Sequence, residues 1–182
     1  MRYLVAALII AGLQACRGND SRHASDTAQT QEGSPESTGP LTLTAADLDG
    51  FEKGLRREIE LVREGQARSS NATTPQERGE AIQATFETRT IPDAAPASGL
   101  PPERYKLVRE TVYQLLETLD FQDKIDGPKS MDMTRAGAEM KARMAGDPYA
   151  ALDPSGAEIL KSRLDRIVPI YVEYVNLTVV GG

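Results

Sequence analysis

The sequence contains few of the residues on which many enzyme sites depend. Its 182 residues include one cysteine, one histidine and no tryptophan. A single cysteine excludes an intrachain disulfide framework. The single histidine, His23, lies in a polar segment, where we expect it to be a solvated bystander. Triads, zinc centres and haem sites that need a histidine from a folded domain are therefore excluded.

Motifs with a defined chemistry are also missing. The sequence has no G-x-G-x-x-G, Walker A or G-x-S-x-G motif, and no Glu-x-x-His pair of the kind that holds di-iron in helical bundles. A formal net charge of −6, without a basic cluster interleaved with aromatics, argues against nucleic acid as a partner. We expect no cofactor, no metal site and no catalytic residue, and hence a protein that is not an enzyme.

Long hydrophobic runs are scarce too, and the N-terminal one is short. Arg2 precedes the uncharged stretch LVAALIIAGL at residues 4–13, and Arg17 follows soon after. A helix that spans a bilayer needs about 20 apolar residues, so this stretch is too short for a stable span. A positive residue followed by a short apolar core is instead the layout of a secretory signal peptide.

The apolar stretch ends in Leu13-Gln14-Ala15-Cys16. Ordinary signal peptidase prefers a small residue three places before its cut, where Leu13 would stand. The four residues resemble the lipobox of bacterial lipoproteins, although Gln14 replaces a residue that is usually small. The resemblance implies that residues 1–15 are removed as a signal peptide, and that Cys16 receives a diacylglycerol and an N-terminal acyl chain such as palmitate. Two or more acyl chains anchor a protein stably to a membrane.

The segment after the cysteine is polar. Residues 16–40 contain no large apolar side chain, so we predict a lipidated cysteine followed by a disordered linker. Coil statistics give this linker an end-to-end distance of roughly 25–30 Å. Arg17, rather than aspartate, follows the cysteine, and the lipoprotein resemblance then favours the outer membrane, with the protein facing the periplasm.

Residues 41–182 have the length of one domain, and their apolar spacing predicts an all-α fold. Thr44 precedes the first stripe as an N-cap, and Thr74-Pro75 with Glu77 forms a capping box. The predicted helices cover 44 to about 71, 75–90, a third that starts within Pro-Pro-Glu-Arg at 101–104 and runs to about 120, about 134–145, and 153 onward. The expected architecture is a small bundle of four main helices and one short helix.

Several finer predictions concern the inward faces. We expect Ala81, Ile82, Thr85 and Phe86 to point inward, Leu107 to widen the third stripe, and Ala136, Met140 and Met144 to form the inner face of the short helix. The Pro- and Gly-rich segment 93–102 is predicted to be a loop. Pro169 should kink the last helix. Residues 170–180 are rich in β-branched side chains, but helix is favoured because no partner strand is evident.

Tyrosines and aspartates are the remaining candidates for binding residues. Tyr105, Tyr171 and Tyr174 lie on inward stripes and are assigned to the core, whereas Tyr113 lies off its stripe and is the candidate for an exposed contact. The aspartates at 120, 123, 126 and 132 are spaced by three or more, and Pro128 interrupts them. That spacing does not fit a calcium loop, and a solvated acidic turn is expected.

The leading hypothesis is a lipid-anchored, non-enzymatic protein of the bacterial cell envelope that binds an envelope protein as a scaffold or accessory subunit. In general layout it resembles small helical lipoproteins of bacteria, a resemblance that implies no particular activity. A second hypothesis is a periplasmic carrier with an apolar cavity between helices, lined by Val112, Leu164 and Tyr171. A third is a hydrolase that uses two carboxylates in a cleft.

Overall fold

Seven α-helices and a terminal π-helix dominate the computed structural model, which describes residues 39–129, 134 and 136–180. The helices are α1 (Ala45–Asn71), α2 (Pro75–Gln83), α3 (Glu87–Ser98), α4 (Pro102–Phe121), α5 (Ala138–Ala145), α6 (Pro154–Lys161) and α7 (Leu164–Val175), followed by the π-helix (Asn176–Val180). No strand occurs in this part of the chain. The all-α prediction is confirmed, whereas the count of four main helices and one short helix is not. The predicted signal peptide, Cys16 and His23 lie outside the described residues.

The starts of α1 and α2 follow from side chains near each helix N-terminus. The Asp47 amide donates to Thr44 Oγ1 at 3.1 Å, and the Thr44 amide donates to Asp47 Oδ2 at 2.8 Å. Thr74 and Glu77 exchange the same two bonds, at 3.2 and 3.1 Å. Each capping box satisfies amides that a helix end leaves unpaired. Both predicted N-caps are confirmed.

The prediction of a loop at 93–102 is wrong, because most of this segment belongs to α3. The helix continues through Pro92 and Pro96 and ends at Gly99, which adopts a left-handed φ of 75°. Ala94 and Ala95 are buried against Tyr105 of α4 in a second apolar cluster. Burial of this face against α1 and α4 outweighs the cost of the two prolines in the helix.

A break at residues 84–86 separates α2 from α3, so the predicted single helix 75–90 is divided. In α2 only Ala81 is buried, while Ile82 is 44 % exposed and Phe86, just before α3, is 54 % exposed. The predicted inward positions of Ile82 and Phe86 are therefore wrong. Ile82 lies on the solvent side of α2, and Phe86, which would share its face four residues later, stands beyond the end of that helix at Gln83.

The main core lies between α1, α4 and the C-terminal helices. Its fully buried large side chains include Phe51, Leu55, Leu116, Leu160, Ile167 and Tyr171. Of the predicted inner face of α5, Met144 is buried and Met140 is exposed, and Leu107 of α4 is exposed as well. Met140 and Leu107 are exposed because each helix contacts its neighbours along a narrower stripe than the spacing of its apolar residues suggests.

The C-terminal part consists of two helices rather than one. A turn at residues 162–163 separates α6 from α7, and α7 continues through Pro169. The Asp153 side chain caps α6 by accepting a hydrogen bond from the Gly156 amide at 2.6 Å. Residues 170–180 are helical, as predicted. Among the described helices, none combines the length and hydropathy that a bilayer span requires.

A short extended segment before α1 is fixed to the loop that precedes α6. The Leu41 amide donates to the Ala151 carbonyl at 2.8 Å, and the Leu41 carbonyl accepts from the Asp153 amide at 3.2 Å. Two residues later, Leu43 is buried in the main core. Thr42 Oγ1 donates to Asp153 Oδ2 at 2.6 Å. The first residues of the domain therefore have a fixed position.

Candidate functional site

One arginine and two glutamates meet between four helices. Glu58 of α1, Glu87 of α3, Tyr105 and Arg109 of α4, and Tyr174 of α7 form what we call the buried charge cluster. Glu58 has no exposed surface, and Arg109, Tyr105 and Tyr174 are almost completely buried. Charged groups are rarely buried unless a group of opposite charge pairs with them, and in this cluster Arg109 is the cation that pairs with the glutamates.

The Arg109 guanidinium is the centre of the buried charge cluster. Its Nη2 lies 3.2 Å from Glu58 Oε2, 2.6 Å from Glu87 Oε1 and 3.0 Å from the Tyr174 hydroxyl. Tyr105 donates its hydroxyl to Glu58, and Tyr174 donates to Glu87 Oε1 at 3.1 Å. The guanidinium carbon also lies 4.6 Å from the centre of the Tyr113 ring, a cation–π distance. These bonds connect α1, α3, α4 and α7.

The cluster holds more negative than positive charge when both glutamates are ionised. Burial raises the pKa of Glu58, although Arg109 and the Tyr105 hydroxyl oppose that shift. Burial alone would lower the pKa of Arg109, but Glu58 and Glu87 raise it overall, so the guanidinium stays charged. Burial also raises the pKa of Tyr105, which stays protonated and able to donate. Arg109 Nε is buried without a hydrogen-bond partner.

Glu87 connects this cluster to the surface. Its side chain is 53 % exposed, and only its Oε1 is used by Arg109 and Tyr174. The same residue lines a groove of about 500 Å³ between α3 and α4, which we call the α3–α4 groove. From α3 the groove is lined by Glu87, Thr88, Ile91, Pro92 and Ala95.

The α4 side of the α3–α4 groove is more polar. Pro102, Glu103, Lys106 and Glu110 line it. These residues recur at helical spacing along one face of α4, and the three charged side chains are exposed. The groove therefore has an apolar base of Ile91, Ala95 and prolines, with charges along its rim.

A second groove of about 620 Å³ lies between α1, α2 and the C-terminal π-helix. Its apolar lining includes Val62, Ile82, Phe86 and Leu177. The exposed side chains of Ile82 and Phe86 therefore lie on the same surface. Gln66 Nε2 donates to the Leu177 carbonyl at 3.2 Å, which fixes the π-helix against α1.

The structure places the predicted binding residues differently from expectation. Tyr113 is half-buried rather than an exposed contact, and its ring packs edge-on against Tyr171 and Tyr174, at 5.4 and 5.9 Å between centroids. Val112 and Tyr171 belong to the main core and Leu164 packs against it, whereas other residues line the two grooves described above.

The predicted acidic turn is only partly solvated. Asp120 is buried and accepts the Lys129 amide at 2.9 Å, and burial raises the pKa of its carboxyl. Asp123 and Asp126 are exposed, as expected, and Asp132 lies outside the described residues. In the part of the chain that the structure describes, no three His, Cys, Asp or Glu side chains are grouped to hold a metal ion.

Sequence reasoning missed Glu58 and Arg109, although a signal was present. Glu58 stands on the α1 stripe between Leu55 and Val62, and Arg109 follows Val108 on the α4 stripe. A charge on an inward stripe of one helix, with an opposite charge on that of another, indicates a buried pair. Glu87 carried no such signal, since it is exposed at the start of α3.

Comparisons with known proteins assign no family. No protein-family model, no curated protein and no solved structure matches this chain.

Proposed function

We propose that this chain is a lipid-anchored protein of the bacterial cell envelope whose helical domain binds another envelope protein and catalyses no reaction. The lipobox-like stretch ending at Cys16 supports the anchor. The polar segment of residues 17–40 supports a linker, because it has no large side chain to bury. Arg17 after the cysteine favours the outer membrane, with the domain in the periplasm.

The observation that best supports a binding role is that the clustered charged side chains are mostly buried, whereas apolar side chains line the surface grooves. The group of charged and hydroxyl side chains around Arg109 lies between helices and joins them, and of its members only Glu87 reaches the surface. Glu58 has no exposed surface, so a substrate in the α3–α4 groove could contact Glu87 but not Glu58. The accessible surface instead offers apolar grooves with exposed large side chains, a feature typical of interaction sites.

The two alternative functions receive less support. A carrier would need an enclosed apolar cavity, whereas Val112 and Tyr171 are close-packed in the main core. A carboxylate hydrolase would need two carboxylates that both reach the substrate. Of Glu58 and Glu87, which share one guanidinium nitrogen, only Glu87 is accessible. Glu103 and Glu110 also line the α3–α4 groove, but these accessible glutamates stand on its exposed rim.

The anchor is tested by replacing the acylated residue. In a bacterial host fed labelled palmitate, Cys16→Ser should abolish labelling of the protein and move it from the membrane to the soluble fraction. Ser25→Ala, a change in the same polar segment, should leave labelling and fractionation as in the wild type. Unchanged labelling of Cys16→Ser would show that the anchor proposal is wrong.

The binding role is tested by crosslinking in intact cells. A photoreactive amino acid placed at exposed positions on several faces, such as Gln76 of α2, Thr88 of α3 and Lys141 of α5, should give an adduct with an envelope protein from at least one face. Identification of the adducts names the partner. If no position yields an envelope protein, the binding proposal is refuted.

A further inference from the structure

We propose that the α3–α4 groove binds a short basic and apolar segment of the partner protein, in which two cationic side chains stand about 10 Å apart. This inference rests on the proposed binding function and specifies the chemistry of the partner. It follows from the positions of the acids along the groove, from the unequal number of hydrogen-bond donors and acceptors, and from the apolar base.

The acids lie toward opposite ends of the groove. The three residues 99–101 connect α3 to α4, so the two helices form an antiparallel hairpin. Glu103 lies next to that connection, while Glu87 and Glu110 lie toward the other end, where Arg109 reaches Glu87. Seven residues separate Glu103 from Glu110, which is about 10 Å along a helix. Ile91 and Ala95 lie between these ends.

The charges of the groove favour a cation. Among its nine described lining residues, three are glutamates and one, Lys106, is a cation. Arg109 neutralises Glu87 only in part, because it also pairs with Glu58. The Glu87 Oε2 atom is left without a partner in the described part of the chain. A cation from a bound segment would therefore find acceptors at both ends of the groove.

The backbone of α3 adds acceptors. Pro92 and Pro96 have no amide hydrogen, so the carbonyls of Thr88 and Pro92 lack the donor that a regular helix supplies four residues later. Thr88 and Pro92 both line the groove. Donor-rich groups, such as a guanidinium, an ammonium or the amides of an extended peptide, fit such a surface.

The spacing selects an extended peptide rather than a single small cation. An extended chain of the polyproline II type rises about 3.1 Å per residue with three residues per turn, so side chains at positions i and i+3 lie on the same face about 9 Å apart, close to the spacing of Glu103 and Glu110. Basic residues at those two positions would reach Glu103 at one end and Glu87 or Glu110 at the other. A residue between them would place an apolar side chain on Ile91 and Ala95.

The test uses a tryptophan in the ligand, because the protein itself has none. The probe is the blocked peptide Gly-Arg-Leu-Trp-Arg-Gly, added to the full acylated chain in micelles of an uncharged detergent, with empty micelles as the blank. We expect a saturable blue shift of tryptophan emission that weakens as salt is added. Peptides with glutamine in place of both arginines should bind more weakly.

Variants of the groove acids provide the matched comparison. Glu103→Gln combined with Glu110→Gln should weaken binding of the arginine peptide roughly three- to tenfold, the sum of two exposed ion pairs. Glu64→Gln combined with Glu139→Gln removes the same charge from exposed positions on α1 and α5 and should leave binding unchanged. Circular dichroism checks that both double variants keep the wild-type helix content.

The outcomes separate this inference from the proposed function. Equal binding of the glutamine peptide, or equal loss in the two double variants, would overturn the role of the acids. Binding of arginine amide as tight as that of the peptide would overturn the extended segment as occupant. Absence of peptide binding, with an envelope partner still crosslinked from other faces, would overturn the inference and leave the binding function standing. Specific peptide binding without any crosslinked partner would support the groove chemistry and refute the proposed envelope partner.

Discussion

Replacing Arg109 by methionine should destabilise the domain strongly, because it removes the one cation of the buried charge cluster. Methionine keeps an apolar stem of similar length but leaves Glu58 fully buried without a countercharge. Breaking a buried ion pair in this way costs about 3–5 kcal/mol of unfolding free energy. That is a large share of the roughly 5–15 kcal/mol that a domain possesses. The melting temperature should fall by about 10–20 °C.

The loss should depend on pH in a direction set by Glu58. Burial raises the pKa of Glu58 above 4.5, and removal of Arg109 raises it further. The folded state then binds a proton more readily than the unfolded state does. At pH values below the pKa of Glu58 in the unfolded chain, Glu58 costs no stability. The cost grows as the pH rises and is complete once the pH has passed the pKa of Glu58 in the folded state. The deficit of Arg109→Met should therefore be smallest at about pH 4.5 and should grow as the pH is raised toward neutral and above.

Urea unfolding followed by circular dichroism across this range measures the effect. Combining Arg109→Met with Glu58→Gln removes both charges and should recover most of the loss at the higher pH. Arg63→Met is the surface control. Its partner Glu173 lies 2.7 Å away, but both side chains are exposed, so the change should cost at most about 1 kcal/mol. An Arg109→Met deficit below about 1 kcal/mol, or one independent of pH, would refute the reasoning.

Two further predictions concern α1 and α2. Arg104 lowers the pKa of Asp47 to about 2, so this stabilisation is present above about pH 4 and lost as the pH falls through 2. Between about pH 5 and pH 2 the wild type should lose about 1–2 kcal/mol more than Asp47→Asn in urea titrations, and equal losses would contradict the assignment. Gly54→Ala would drive a methyl group into the Tyr105 ring and should cost about 1–3 kcal/mol. Gly79→Ala, which meets no atom within 4 Å, should instead stabilise α2 by roughly 0.5–1 kcal/mol; a reversed order in thermal melts would be inconsistent with this packing.

The starts of α1 and α2 were predictable because their causes are local. Thr74, Pro75 and Glu77 satisfy the first amides of α2 with atoms only three residues apart. The third helix was not predictable in the same way. Its prolines indicate a loop, and the contacts that outweigh them join Ala94 and Ala95 to Tyr105 of α4 and join α3 to α1. Such packing is fixed only when all three helices come together.

The candidate site, too, has features that local sequence indicates and features that only the fold determines. Charged residues on inward stripes, such as Glu58 and Arg109, could be identified as buried from their spacing. Their partners could not be, because the Arg109 guanidinium meets side chains from three other helices. The α3–α4 groove depends on the hairpin, which the sequence alone presents as a loop followed by a helix. Cys16 has a local motif, so its predicted role needed no knowledge of the fold.

The extended segment at residues 41–43 has a mechanical consequence for the lipid-anchored arrangement that we propose. Any force on the linker enters through Leu41, whose two backbone hydrogen bonds join it to Ala151 and Asp153. Behind it, Arg104 binds the Thr42 carbonyl at 2.7 Å and the Asp47 carboxylate, so the load spreads to α4 as well as to the start of α1. In the proposed arrangement, a force from the membrane would detach residues 41–43 from the loop that precedes α6 before it reached the start of α1, and the proposed binding groove would keep its shape.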